Sequence, residues 1–129
     1  MPFTRIEPQV QTQGIERTLK IWVEDGQQNP TLGNIPANAW VTEVRISVTQ
    51  AFNSDGSDEI RVGYDSDEDA YATLTAVNTT GKKSVTLGAG ANYDTTARVA
   101  EAYYVNGGSE PTAGKAIVIL KYDRLPPSP

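Results

Sequence analysis

Between Trp40 and Thr49 the residues alternate strictly. Trp40, Thr42, Val44, Ile46 and Val48 fall on one face of an extended chain, and Glu43, Arg45, Ser47 and Thr49 on the other. A period of two belongs to a strand with one face packed and one face in water. The turn residues Asn53-Ser-Asp-Gly56 follow, and Ile60, Val62 and Tyr64 then resume the buried face before the acidic run Asp65-Ser-Asp-Glu-Asp69. Asp55-Gly56 is expected to reverse the chain as in a hairpin, since Asp and Gly tolerate the positive φ of such turns. Two strands about a turn, leading into a negatively charged loop, form a scaffold with no reaction centre in it.

The remaining segments extend the same reading. Residues 1–16 are rich in Gln and poor in large apolar groups, which predicts an extended arm rather than an element of its own. From Arg17 to Glu24, Leu19, Ile21 and Val23 alternate with Thr18, Lys20 and Trp22, a strand pattern. Asp25 to Pro36 is dense in turn residues and reads as one long loop. Tyr71 to Val77, Ser84 to Leu87 and Thr96 to Val105 read as further strands, parted by Asn78-Thr-Thr-Gly-Lys and Gly88-Ala-Gly-Ala-Asn92. In the last strand Ala116, Val118, Leu120 and Tyr122 share one face and Ile117 and Ile119 the other. Apolar residues on both faces fit either a central strand or one whose outer face meets another chain.

This gives seven or eight strands and no amphipathic helix, hence an all-β antiparallel sandwich of jelly-roll type over residues 17–125, with an N-terminal arm (1–16) and a Pro-rich tail (126–129). Trp40, Val44, Ile46, Val48, Ile60, Val62, Val118 and Leu120 are the expected core. Trp22 and Trp40 are expected as core or interface anchors.

Composition removes whole classes of chemistry. The chain has 129 residues, enough for one domain with its own core. It contains no Cys and no His, which eliminates thiolate chemistry, disulfides, the commonest general base and the commonest metal ligand. Sixteen acidic and eleven basic side chains leave a net charge of −5, which opposes non-specific binding to nucleic acid or an anionic membrane. No apolar run approaches the ~20 residues of a membrane-spanning helix, and the first residues lack the apolar core of a signal peptide. Synthesis in a cytoplasm is the expectation.

Candidate sites are few. Asp65, Asp67 and Asp69 stand at alternate positions, as at the start of a calcium loop. Position six would be Ala70 and position twelve Ala76, so a solvated acidic loop is the better reading and no metal or cofactor is expected. Gly88-Ala-Gly90 lacks the following helix of a phosphate loop, and Asn78-Thr-Thr80 reads as a polar turn. No pair among Glu43, Glu59, Glu68, Glu101 and Glu110 is spaced as glycosidase carboxylates. The six tyrosines either pack across strands or offer a surface for stacking sugars. Tyr103 and Tyr104, being adjacent, point to opposite faces, so one of them is expected at an outer surface or subunit contact.

From Ile35 to Tyr122, about two thirds of the chain, the sequence resembles small structural proteins of tailed bacteriophages. The resemblance is carried by Ile35-Pro-Ala-Asn-Ala-Trp-Val-Thr-Glu-Val44, Ala51-Phe-Asn-Ser-Asp-Gly56, Ile60-Arg-Val-Gly63, Asp69-Ala-Tyr-Ala72, Val85-Thr-Leu-Gly-Ala-Gly90 and Gly114-Lys-Ala-Ile-Val-Ile-Leu-Lys-Tyr122. It implies a non-enzymatic protein that decorates or cements the phage head, made in the host bacterial cytoplasm and residing on the virion surface. It further implies a homotrimer bound to the major capsid protein, with no nucleic acid or membrane partner. Arg5, Arg17, Trp22 and Tyr104 are the expected interface residues. The alternative is a tail or head-fibre module that binds a receptor or carbohydrate through exposed Tyr and Trp.

Overall fold

In the computed structural model, residues 17–27 and 29–125 are described. The expected arm, Arg5 and the Pro-rich tail lie outside them. Eight strands run β1 (Arg17–Glu24), β2 (Thr31–Ile35), β3 (Ala39–Gln50), β4 (Asp58–Tyr64), β5 (Asp67–Ala76), β6 (Gly81–Lys83), β7 (Arg98–Asn106) and β8 (Lys115–Arg124). One 3-10 turn, Ala89–Ala91, is the sole helical element among the described residues. The fold is all-β, as the alternation predicts.

Two four-stranded antiparallel sheets are formed, ordered β1-β8-β3-β6 and β2-β7-β4-β5. First pairs with last, second with seventh, third with sixth and fourth with fifth. Arg17 lies opposite Tyr122, Asn34 opposite Val99, Ile46 opposite Lys83 and Tyr64 opposite Asp67. All these pairs straddle the same stretch of chain, so the domain is one long hairpin rolled into two layers, the jelly-roll arrangement. Its tip is Asp65-Ser66. The acidic run is therefore not a loop: its first two residues make the β4–β5 turn, and Asp67, Glu68 and Asp69 already belong to β5.

Between the sheets Val23, Val44, Ile46, Val48, Phe52, Ile60, Val62, Val77, Val118 and Leu120 are buried in a single cluster. Seven of the eight expected core residues are among them; Trp40 is not. β3 carries a bulge between Val41 and Glu43, and the Thr42 hydroxyl donates to the Lys121 carbonyl at 3.2 Å. One extra residue switches which parity faces inward. Ala39 and Val41 are buried before the bulge, Val44, Ile46 and Val48 after it, and Trp40 goes to the outer face, half-buried.

Three further expectations are corrected. The stretch read as one long loop, Asp25 to Pro36, contains β2, a short edge strand against β7 whose register shifts between Thr31 and Gly33. The strand expected over Ser84–Leu87 lies earlier, at Gly81–Lys83, and Leu87 makes an isolated bridge to Ala72. Asp55-Gly56 does not close a hairpin, because β3 and β4 lie in different sheets. Residues 53–57 cross between layers. Gly56 is needed for closeness rather than for positive φ: a Cβ there would sit 2.6 Å from the Gly107 carbonyl carbon.

Candidate interaction surfaces

With the interior filled, the outer faces of the two sheets are what the fold presents to other molecules. Pairing register lays out the outer face of the first sheet in rows. Thr18, Lys121 and Glu43 form one; Lys20, Ile119 and Arg45 the next; then Trp22, Ile117 and Ser47 with Lys82; then Glu24, Lys115 and Gln50. Ile117 and Ile119 are only half-buried because β8 is central in its sheet while no second layer among the described residues covers its outer side. The central-strand reading of β8 is the one the sheet order bears out.

Around those isoleucines the surface is basic. Arg45, Ser47, Lys82, Lys83, Ile117 and Ile119 line a shallow cavity of about 250 Å³. Trp22 is 45% exposed at the β1 edge, with the Lys115 ammonium 5.8 Å from its ring centre, in the range where a cation is attracted to an aromatic face. Glu43 tempers this surface at one end, lying 3.6 Å from Arg45 Nε and 3.8 Å from Lys121 Nζ.

The outer face of the second sheet has the opposite sign. Glu59, Arg61 and Gly63 of β4 lie opposite Val105, Tyr103 and Glu101 of β7. The Arg61 guanidinium is held by Glu68 at 2.5 Å, which leaves Glu59, Glu101 and nearby Asp65 in excess. Tyr103 lies flat in this layer, 5% exposed, its hydroxyl donating to Glu101 Oε1 at 2.6 Å. Lost hydration, that hydrogen bond and the charges of Glu101, Glu68 and Asp65 all push its pKa up. Leu74 and Val99 are about half exposed on this side.

One end of the domain carries a third cluster. Arg98 lies 4.2 Å over the Tyr64 ring, Tyr64 packs on Tyr71 at 5.6 Å, and Arg98 Nε donates to Asp94 at 2.8 Å. A groove of about 530 Å³ opens beside it, between Tyr64, Asp65, Ser66, Arg98, Val99 and Glu101. The neighbouring Asp69, through side-chain hydrogen bonding and charge, and lost hydration hold the Asp67 carboxyl above its ordinary range. Among the described residues no three acidic side chains converge as metal ligands.

The expected interface residues are scattered. Trp22 stands on the basic face, and Arg17 begins β1 opposite Tyr122. Tyr104 points inward, stacked on Phe52 at 4.8 Å, its hydroxyl bonded to Asp58. Of the six tyrosines only Tyr93 is well exposed, at 48%, with its hydroxyl on Asn38 at 2.9 Å; no tyrosine platform is formed. Glu43 is on one sheet's outer face, Glu59, Glu68 and Glu101 on the other's, and no cleft lies between them. Sequence reasoning missed Asp58, Asp94 and Arg98. Asp94 and Arg98 are four residues apart and pair locally, a spacing that could have marked them, whereas the Tyr104 partner of Asp58 and the Tyr64 ring under Arg98 come only through the fold.

No protein-family model matches the chain, and no curated protein does. Solved structures do match. A chain in the cyanophage Pam1 capsid asymmetric unit superposes with a TM-score of 0.65 at 15% identity, covering 88% of this chain and 87% of that one. A chain of the acidic stable capsid structure of Helicobacter pylori bacteriophage KHP30 gives 0.62 at 13% identity, covering 87% and 90%. A chain of the Ralstonia phage GP4 capsid gives 0.58 at 15%, covering 91% and 87%. At such identities the likeness is one of fold: this chain folds, over nearly its whole described length, as chains found in three phage capsids do.

Proposed function

We propose that this protein is a non-enzymatic structural component of a phage virion, a decoration or cement protein that binds the assembled head and stabilises it. The observation that carries this reading is the fold likeness to chains of three phage capsids, covering nearly nine tenths or more of each partner. Two features support it. The interior is filled by side chains, with no enclosed chamber for a substrate among the described residues. The chemistry-bearing side chains lie on broad outer faces, as suits contact with other proteins.

The mechanism is linkage. A protein that binds only the assembled shell lowers the free energy of that state and leaves free subunits untouched. Binding as a trimer to several copies of the major capsid protein lets weak single contacts add, because each later contact is intramolecular. Arg5 and Arg17 are the contacts proposed for the shell, and Trp22 a contact proposed between subunits. Tyr104, committed to Phe52 and Asp58, acts by holding the fold that presents them.

The test is co-sedimentation. Purified protein added to heads assembled without it should pellet with them and raise their resistance to heat. Failure to pellet, or binding that leaves head stability unchanged, overturns the cement role.

A further inference from the structure

The two outer faces carry opposite charge on a single chain. On one, Ile117 and Ile119 are ringed by Lys20, Arg45, Lys82, Lys115 and Lys121, which outnumber Glu24 and Glu43, with Trp22 at the edge. On the other, Glu59, Asp65, Glu68 and Glu101 outnumber Arg61 and Arg98, with Leu74 and Val99 as exposed apolar positions. The chain as a whole is acidic at −5, so the basic face departs from the average. It also has an apolar centre: isoleucines half-buried, with no second layer over them among the described residues, make a hydrophobic surface that another sheet could cover.

We propose that the basic outer face of the β1-β8-β3-β6 sheet docks onto the acidic outer face of the β2-β7-β4-β5 sheet of a second copy of this chain. Charge complementarity picks the occupant, because the same molecule supplies both halves and like faces would repel. Four strands at about 4.8 Å and eight residues at about 3.3 Å make a face of roughly 500 Å² in plane, the scale of a weak, reversible contact. Such a contact is heterologous. Because the two outer faces of the sandwich point in opposite directions, it stacks copies into an open column with one free face at each end. This goes beyond the proposed function, in which the trimer forms only on the head, and solution mass reads it whether or not the protein binds a head.

The experiment is sedimentation of the free protein with paired charge reversals. The wild type should associate at millimolar chain concentration in low salt, and added salt should reverse this, since salt screens exposed charges. Lys20→Glu/Lys82→Glu and Glu59→Lys/Asp65→Lys should each be monomeric alone. Mixed one to one, they should associate again, as each restores the complement the other lost. Trp22→Ala should weaken association without changing any charge. All these positions are at least partly exposed, and unchanged thermal midpoints would verify folding. A monomeric wild type under these conditions, association untouched by both reversals, or a mixture that stays monomeric overturns the proposal. So does a wild type that is monomeric alone yet loses head binding on Lys20→Glu/Lys82→Glu, which would assign the basic face to the shell instead.

Discussion

The Tyr104 hydroxyl donates a hydrogen bond to the carboxylate of Asp58, an acid only 2% exposed at the start of β4. The Ser54 backbone N–H donates to the same oxygen at 3.2 Å. A buried carboxylate survives when donors replace the water it has lost. Here the donors come from β7 and from the crossover between sheets, so Asp58 ties the place where the chain changes layers to a strand of the second sheet. The Asp58 carbonyl extends the tie by accepting from Val77 N–H at 2.9 Å.

Tyr104→Phe keeps the ring on Phe52 and removes only the donor. It should cost about 1–3 kcal/mol, the usual cost of leaving a buried polar group short of a partner. Urea unfolding measures this, and a loss below a few tenths would show that the Ser54 N–H and solvent suffice.

How far the sequence could be read depends on which interactions are local. Strand identity was legible wherever alternation ran unbroken, as from Val44 to Val48, because period two is fixed by backbone geometry alone. Trp40 was misplaced because a bulge is decided across the ladder: Thr42 becomes the extra residue only when β8 lies beside it. β2 was hidden for the same reason, its Gly- and Pro-flanked stretch becoming a strand through β7. The opposed charges of the two outer faces were not legible, since Lys20, Arg45 and Lys82 are neighbours only in the folded sheet.

Gly114 should be the costlier of two left-handed glycines. Its φ is +153, and a Cβ there would meet the Phe52 ring at 2.3 Å, whereas Gly26, at φ +76, has nothing within 4 Å. Gly26→Ala should lose about 1 kcal/mol from backbone strain alone, and Gly114→Ala about 2–4 kcal/mol once Phe52 must move. Equal losses by thermal unfolding would show that the ring yields freely.

Alkaline pH should unfold the domain through its tyrosines. The pKa values of Tyr71, Tyr103 and Tyr104 are all pushed up, chiefly by burial, with the hydrogen bonds to Glu101 and Asp58 adding to it for the last two. In the unfolded chain they ionise near about pH 10, so above that pH the unfolded state loses protons the folded state keeps, and stability falls. Below it the contribution is intact. Tyrosinate absorbance should therefore rise together with loss of the strand signal in circular dichroism; ionisation of all six tyrosines with the sheets intact would refute the shared cause.

Acid should act with two signs. Asp94 is held below the carboxylate range by its hydrogen bond to Arg98 and the N–H of Thr96, and Asp55 by the Ser109 N–H at 2.6 Å. Both contribute stability that is present above the unfolded value of about 4 and lost as pH falls through their lower folded values. Asp67 is raised by Asp69, so its contribution runs the other way, present at low pH and lost as pH rises. Asp94→Asn should accordingly destabilise the protein at neutral pH and flatten its acid limb. Asp67→Asn should stabilise it at neutral pH, with the gain over wild type vanishing below about pH 4. Parallel shifts of the two variants across the whole pH range would show that hydrogen bonding by the side chains, rather than their charge, governs both sites.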